Sequence, residues 1–211
     1  FPQGVGFDFA GEVLGGARFA PGTRVYGLVT GWRGRACAEE LVCPADKCEE
    51  MPSTVSFEEA AAIPLAGQTA LQALRDLGRL AAGRRVCING ASGGVGTFAI
   101  QVAKILGARV TTLSSARNVD LCSGLGADEA LDYRQDDPFS RPEGFDVIFD
   151  VFGNRGWSSL RHALTPRGVF ISTVPSRQIA FDMARTALGR GQRARLVRVR
   201  SRAADLALLR R

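Results

Sequence analysis

A glycine-rich turn between an apolar strand and an amphipathic helix is the segment of this chain with the clearest chemistry. Residues 85–89 form a β-branched run, residues 98–106 place apolar side chains on one helical face, and GASGGVG lies between them. Glycines let a backbone approach a pyrophosphate, and the free N–H groups of a helix N-terminus attract its charge. The turn predicts a dinucleotide site; an ordinary tight turn is the alternative. The predicted binding residues are Gly90, Ser92, Gly93, Gly94, Val95 and Gly96.

The end of the next predicted strand bears on which dinucleotide binds. An acidic residue about 20 residues after the first glycine would hold the ribose diol of NAD. Here no acidic residue lies between Gly90 and Asp120, and the end of the strand carries Ser114, Ser115 and Arg117 instead. Two hydroxyls and a guanidinium suit a 2′-phosphate, which favours NADPH. In the alternative interpretation, Ser115 caps the following helix and Arg117 is solvated.

From residue 84 onward, strand and helix patterns alternate with short connections. Strands are predicted near 85–90, 109–113, 129–132, 146–151, 168–173 and 195–199. Helices are predicted near 95–107, 117–125, 155–164 and 177–188, and a turn at 164–168. Six repeated units with apolar strands predict an α/β fold with a doubly wound, parallel, six-stranded Rossmann sheet.

Residues 1–55 have a different pattern, in which glycines and prolines interrupt short apolar runs. This pattern predicts an antiparallel, barrel-like segment. A helix is predicted to begin after Ser56, with Glu59 completing a capping box, and Pro64 interrupts it. A second helix is predicted over 67–74. We therefore expect two domains, at 1–63 and 64–211.

Composition limits the range of functions. The 211 residues are 45% hydrophobic and carry a net charge of +6, and no apolar run approaches the ~20 residues that span a bilayer. Nine arginines fall between Arg185 and Arg211. We interpret them as a solvated surface and expect no nucleic-acid partner, because no aromatic residues are interleaved to stack on bases.

The five cysteines and the single histidine do not form a metal-binding pattern. There is no CxxC pair among Cys37, Cys43, Cys48, Cys87 and Cys122, and no histidine near the first three. Cys87 and Cys122 are predicted to fill the core. His162 is predicted at the surface. Cysteines without a disulfide framework predict a reducing compartment, and we expect a cytoplasmic protein.

Several segments occur together in an order that resembles one family. They are 6–13 (GFDFAGEV), 21–27 (PGTRVYG), 57–70 (FEEAAAIPLAGQTA), 89–96, 125–128 (LGAD) and 145–150 (FDVIFD). The chain resembles the medium-chain dehydrogenase/reductase superfamily, in its zinc-free NADPH:quinone oxidoreductase-like branch.

The resemblance implies a Rossmann domain and part of a GroES-like β-barrel catalytic domain. It implies that this chain is a fragment, with barrel segments expected before Phe1 and after Arg211. Zinc-dependent relatives carry a histidine where this chain has Phe7, and neither phenylalanine nor Asp8 alone can hold a tetrahedral zinc site. We therefore expect no metal. Relatives dimerise through the last Rossmann strand, here near 195–199, so we expect a homodimer.

The resemblance also implies further site residues. Thr69 matches a threonine near the nicotinamide or its phosphates, although it also suits an ordinary helix start. Phe152, Gly153 and Asn154 would border the ribose, and Val174, followed by Pro175, would approach the nicotinamide. Tyr26 could donate to a substrate oxygen, with a core tyrosine as the alternative.

Without zinc there is no Lewis acid to favour oxidation of an alcohol, so reduction of a polarised acceptor is expected. The predicted reaction is hydride transfer from NADPH to a quinone or an α,β-unsaturated carbonyl. One alternative is an enoyl reductase acting on carrier-bound acyl chains. Another is a non-catalytic protein that binds NADPH or RNA.

Overall fold

The computed structural model describes residues 4–29, 34–141 and 144–210. The chain divides into two compact units. The first unit comprises Phe1–Gln68 together with Val199–Arg211, and the second comprises Thr69–Arg198.

These units differ from the expected domains in two respects. The division falls inside a helix, between Gln68 and Thr69, rather than after residue 63. In addition, the end of the chain belongs to the first unit, because Leu206 is part of that unit's buried core with Tyr26, Met51 and Ala60.

The first unit contains a small antiparallel sheet, as the glycine-punctuated pattern predicts. Its strand order is β1-β2-β3. The strands are β1 (Asp8–Glu12), β2 (Arg24–Leu28) and β3 (Cys48–Glu50). The helices assigned wholly to this unit are α1 (Phe57–Ala61) and α7 (Ala203–Leu209).

The helix starts follow from local chemistry. Ser56 and Glu59 form the predicted capping box at the start of α1. Pro64 then begins the next helix, α2 (Pro64–Leu71), three residues earlier than expected. Proline suits the first helical position because its missing N–H is not needed there, and the Asp8 carboxylate accepts a hydrogen bond from the Leu65 N–H. A π-helix follows over Gln72–Leu77.

The second unit is built on a six-stranded parallel sheet, which confirms the predicted fold class. Its strand order is β6-β5-β4-β7-β8-β9, with every neighbouring pair parallel. The strands are β4 (Arg85–Asn89), β5 (Arg109–Ser114), β6 (Glu129–Asp132), β7 (Phe145–Asp150), β8 (Leu164–Ser172) and β9 (Arg193–Leu196). The helices are α3 (Gly94–Ile105), α4 (Val119–Gly124), α5 (Trp157–Leu160) and α6 (Arg177–Ala187).

Two predicted elements have different limits. The helix expected near 155–164 is the single turn of α5 followed by a 3₁₀ turn over Arg161–Ala163. The turn expected at 164–168 lies within β8, where the register passes from Phe145↔Leu164 directly to Val147↔Val169. The intervening residues have no partner in this register, so they form an irregularity that interrupts the strand pairing.

The sheet places its carboxyl ends where a ligand can bind. Strand order reverses between β4 and β7, so the connections after these neighbouring strands leave toward opposite faces of the sheet. In open α/β sheets, ligands bind in the crevice that this reversal creates.

Close contact between the glycine turn and α3 requires Gly96. A Cβ atom there would overlap the carbonyl oxygens of Gly90 and Ala91. Gly94 differs, because a Cβ atom there would meet nothing within 4 Å.

We therefore expect Gly96→Ala to lower the free energy of unfolding by about 1–3 kcal/mol through overpacking against backbone. Gly94→Ala is the matched control and should change it by less than about 1 kcal/mol, in the stabilising direction, because alanine favours a helix. Urea denaturation of both variants measures the difference. Equal effects would contradict the proposed steric role of Gly96.

Candidate cofactor site

A hydrogen-bonded network joins the carboxyl ends of β4 and β7. The Asn89 side-chain amide donates to Oδ1 of Asp150 (2.8 Å) and to Oδ1 of Asn154 (2.9 Å). Asp150 is completely buried, and its carboxylate also accepts from the backbone N–H groups of Gly153 (3.0 Å) and Arg155 (2.9 Å). This network fixes the loop after β7 at the point where the strand order reverses.

The loop after β7 lies against the loop after β8. Gly153 has φ of +80°, and a Cβ atom on it would overlap the Val174 side chain. Val174 is 40% exposed and Phe152 is 70% exposed. Both side chains are therefore available to contact a ligand at this edge of the sheet, as expected from their positions after the strands.

The glycine turn leaves the N-terminus of α3 open. Gly93 is the N-cap residue and no side chain caps the helix. The first N–H groups of an α-helix have no partner within it, so those of the first turn of α3 are available to an anion. Gly90 has φ of +81°, and the N–H groups of Gly90 and Ala91 both donate to the carbonyl of Leu113 on β5.

Asn118 connects the glycine turn to the end of β5. Its side-chain amide donates to the hydroxyl oxygens of Ser92 (3.0 Å) and Ser115 (3.2 Å). Ser115 precedes a 3₁₀ turn over Ala116–Asn118, but its side chain makes no capping hydrogen bond there. The alternative that Ser115 serves as a helix cap is therefore not what the structure shows.

Polar, cationic and anionic side chains lie at or just after the carboxyl ends of β5 and its neighbour β6. Ser114 is buried and its hydroxyl donates to the carbonyl of Ser115 (3.2 Å). Arg117 is exposed and makes no hydrogen bond or ion pair with any residue that the structure describes. Asp132 pairs with Ser114 across the β5–β6 register, but its carboxylate accepts from the Arg134 N–H (3.1 Å).

The two residues predicted to be catalytic are both buried. The Tyr26 hydroxyl donates to the carbonyl of Leu206 at 2.6 Å, and burial raises the pKa of Tyr26 to about 12. The hydroxyl proton of Tyr26 is therefore already engaged in a hydrogen bond within the first unit. This favours the interpretation of Tyr26 as a core residue over donation to a substrate oxygen. Thr69 lies in α2, 7% exposed. Its role near the nicotinamide stays a prediction.

The position expected to distinguish zinc-dependent relatives has no metal ligand. Phe7 is half exposed, and Asp8 accepts the hydrogen bond that caps α2. Burial raises the pKa of the Asp8 carboxyl, only partly offset by that hydrogen bond. Within residues 4–29, 34–141 and 144–210, no group of three or more His, Cys, Asp or Glu side chains could hold a metal ion.

Comparison with known proteins places this arrangement in a family. The family model described as "Zinc-binding dehydrogenase" matches residues 94–204, just over half of the chain. The chain belongs to the medium-chain dehydrogenase/reductase superfamily. Its similarity to quinone oxidoreductases places it in the quinone-oxidoreductase-like branch, as the motif order indicates.

Two curated relatives illustrate this membership. The chain is 38% identical over 181 residues to a zinc-type alcohol dehydrogenase-like protein of Schizosaccharomyces pombe, covering 80% of this chain and 52% of that protein. It is 38% identical over 188 residues to a chloroplastic quinone-oxidoreductase homolog of Spinacia oleracea, covering 83% and 57%. The chain thus spans about half the length of the curated relatives it matches.

Solved structures of the superfamily share the fold. A quinone oxidoreductase from Coxiella burnetii has a TM-score of 0.87 and 30% identity, covering 99% of this chain and 67% of that one. An Escherichia coli quinone oxidoreductase in complex with NADPH has a TM-score of 0.77 and 25% identity, covering 98% and 68%.

Three residues that organise the candidate site are not among the site residues that the sequence predicts, namely Asn89, Asn118 and Asp150. A signal existed for Asp150, because a carboxylate at the last position of an apolar strand is costly to bury unless it is hydrogen-bonded. Asn89 likewise ends its strand. No signal marked Asn118, because its partners Ser92 and Ser115 come together only in the folded chain.

We expect Asp150→Ala to lower the free energy of unfolding by about 2–4 kcal/mol, because it removes one of the two acceptors of the buried Asn89 amide and the side-chain acceptor of two backbone N–H groups. Asp120→Ala removes an exposed carboxylate from the first turn of α4 and should cost less than about 1 kcal/mol. Thermal and urea unfolding measure both. Similar losses in the two variants would argue against the network.

Proposed function

We propose that this chain carries the cofactor site of an NADPH-dependent, zinc-independent oxidoreductase that reduces quinones or α,β-unsaturated carbonyls. The observation that carries the proposal is the arrangement around Asn118. This residue joins Ser92 in the glycine turn to Ser115 at the end of β5, beside Arg117, which is exposed and has no partner among the residues that the structure describes. Asn118 would thereby connect the turn that binds the pyrophosphate of a dinucleotide to the strand end that binds its 2′-phosphate.

The residues present fit a dinucleotide. Space is open at Gly94, and the N-terminus of α3 lacks a side-chain cap, so its N–H groups would bind the pyrophosphate. The predicted set of Gly90, Gly93, Val95 and Gly96 builds this turn. Ser114, Ser115 and Arg117 would hold a 2′-phosphate through hydroxyl and guanidinium groups.

The remaining residues would orient the nicotinamide end. Asp150 and Asn89 hold the loop of Phe152, Gly153 and Asn154, which would border the ribose. Val174 lies against Gly153 and would pack on the nicotinamide, and Thr69 would lie near it. When bound, NADPH supplies the hydride, which makes the protein's task one of positioning and of excluding water. The E. coli quinone oxidoreductase in complex with NADPH supports this choice of cofactor.

We propose zinc independence because the residues at the position of the zinc ligand in zinc-dependent relatives do not supply a metal site. Phe7 has no ligating atom, and Asp8 is used to cap α2, so neither would complete a metal site at this position. The name of the matched family model mentions zinc. Metal analysis of the purified protein therefore tests this part directly, with less than about one-tenth equivalent of zinc expected.

Location and assembly are further expectations. No helix in the described part of the chain is long and apolar enough to cross a bilayer. The spinach relative is chloroplastic, so the cytoplasmic location stays a prediction. So does the homodimer, for which β9 provides a sheet edge at Arg193–Leu196, close to the expected 195–199.

Cofactor choice can be tested by removing the guanidinium. We expect Arg117→Ala to weaken NADPH binding about 10- to 100-fold, the equivalent of losing one charged hydrogen bond, while NADH binding stays unchanged. Arg84→Ala, an exposed arginine just before β4 at the opposite edge of the sheet, is the control. Isothermal titration with both cofactors gives the answer. An equal loss for NADPH and NADH would contradict the 2′-phosphate assignment.

The acceptor can be tested by following NADPH oxidation by the full natural polypeptide with quinones, enones and carrier-bound enoyl thioesters. We expect turnover with a quinone or an enone. Turnover with thioesters alone would favour the enoyl-reductase alternative. NADPH binding without turnover on any acceptor would overturn the catalytic proposal, and sequence-selective RNA binding would then support the non-catalytic alternative. Salt-sensitive binding without selectivity would not, because an arginine-rich surface attracts any polyanion.

A further inference from the structure

The last part of the second unit carries almost only positive charge. Residues 151–198 contain nine arginines, no lysine and one acidic residue, which gives this segment a net charge of +8, against +6 for the whole chain. The acidic residue, Asp182, is completely buried, and its carboxylate accepts hydrogen bonds from Ser158 and Gln178. The exposed charge of this segment is therefore entirely cationic, which indicates an anionic partner.

Within this basic segment, the outer face of α6 exposes apolar side chains. Phe181 is 57% exposed, and Leu188, the C-cap residue of the helix, is 97% exposed. Residues seven positions apart lie on the same face of a helix, and the exposed Ala184 lies between these two. The opposite face of α6, with Ile179, packs into the core of the second unit. Two large apolar side chains therefore project from one helix face into solvent.

Arginines accompany these apolar residues. The Arg185 guanidinium lies over the rings of Phe181 and Trp157, 5.5 Å from each ring centroid. Arg190 is exposed and follows Leu188 by two positions. Neither arginine forms a hydrogen bond or an ion pair with any residue in the described ranges. A guanidinium that stacks on aromatic rings keeps its N–H edges free, and these edges match the oxygens of a phosphate, so Arg185 is held in place with its donors unused.

We propose that the outer face of α6 binds the surface of an anionic lipid bilayer, with Phe181 and Leu188 inserted at the level of the headgroups and with Arg185 and Arg190 bound to lipid phosphates. Exposed apolar residues flanked by arginines on one helix are typical of binding in the interfacial plane. Anionic headgroups attract each nearby arginine, and the apolar side chains leave water. Such binding needs no spanning helix, and no helix in the described ranges is long and apolar enough to span.

Charge, residue type and shape favour a lipid surface over other occupants of this face. A second copy of the chain would bring the same cationic segment, with no exposed acidic residue to pair with it. A nucleic acid would match the arginines but would give Leu188 no apolar environment, since bases stack on aromatic rings. The tip at 188–191 is exposed throughout, so it protrudes and suits a fluid bilayer better than a shaped groove on a protein.

The test is co-sedimentation of the full natural polypeptide with lipid vesicles. Vesicles of phosphatidylcholine alone are compared with vesicles of phosphatidylcholine and phosphatidylglycerol in equal parts, which adds anionic lipid without changing the apolar interior. We expect binding to the mixed vesicles to be at least about tenfold tighter than to the neutral ones. Added salt should weaken it, because salt screens the attraction between arginines and headgroups.

Matched variants distinguish insertion from the general attraction of a basic protein to anionic lipid. Phe181→Ser and Leu188→Ser should each weaken binding to the mixed vesicles about three- to tenfold, because each removes apolar surface that would leave water. Ile105→Ser removes a side chain that is 84% exposed on α3 and should have no effect. Arg185→Ala should weaken binding about three- to tenfold, and Arg84→Ala, outside the basic segment, by less than about twofold.

Several results would overturn the proposal. The absence of binding to mixed vesicles would do so, as would binding that Phe181→Ser and Leu188→Ser leave unchanged, which is adsorption by charge alone. A change from dimer to monomer in Leu188→Ser, measured by analytical ultracentrifugation, would assign the face to a second copy. RNA that displaces the chain from vesicles and binds through Phe181 would assign it to a nucleic acid.

The proposal is independent of the proposed function, because it uses none of the residues assigned to the cofactor. Vesicle binding is measured without NADPH, so a chain that binds vesicles but not the cofactor would contradict only the reductase assignment. A chain that binds NADPH but not vesicles would contradict only the membrane contact. Urea unfolding checks that each variant is folded, and the comparison of the two vesicle types requires no variant.

Discussion

One buried carboxylate organises the edge of the sheet on which the proposed cofactor site depends. Asp150 has no exposed surface, yet its two oxygens accept three hydrogen bonds, from the Asn89 side chain and from two backbone N–H groups of the following loop. A buried charge without these donors would cost several kcal/mol, on the order of the stability of a whole domain. The loop must therefore take the one conformation that supplies them, and that conformation sets the positions of Phe152 and Gly153.

Much of this architecture follows from local pattern. The apolar runs that form β4 to β9 alternate with helical segments. Parallel strands that are buried on both faces have almost continuously apolar sequences, which makes them recognisable. The Ser56 and Glu59 capping box and the turn before α3 were also evident, because capping and glycine conformation depend on residues close in sequence. For the same reason the glycine turn could be assigned from sequence while its ligand could be assigned only by resemblance and by residue type.

The contacts that could not be predicted join residues distant in sequence. Asn118 reaches Ser92 across 26 positions, and Tyr26 reaches Leu206 across 180. A tyrosine hydroxyl is equally suited to a substrate oxygen or to a buried carbonyl, so residue type alone left both alternatives open. The helix start at Pro64 was misplaced because its cap, Asp8, is 57 positions away.

The return of the chain to its first unit has a consequence for how the molecule forms. The second unit is contiguous, from Thr69 to Arg198, and all of its strand pairs except β4–β7 join neighbours in sequence, so it can begin to fold as soon as it leaves the ribosome. The first unit cannot complete its core until Leu206 has been synthesised, since the Tyr26 hydroxyl and α7 belong together. Closing so long a loop through an unfolded intervening segment would carry an entropic cost that grows with its length. If the second unit folds first, the unfolded loop is shorter. Assembly of the first unit therefore depends on the second unit, although most of the first unit is synthesised earlier.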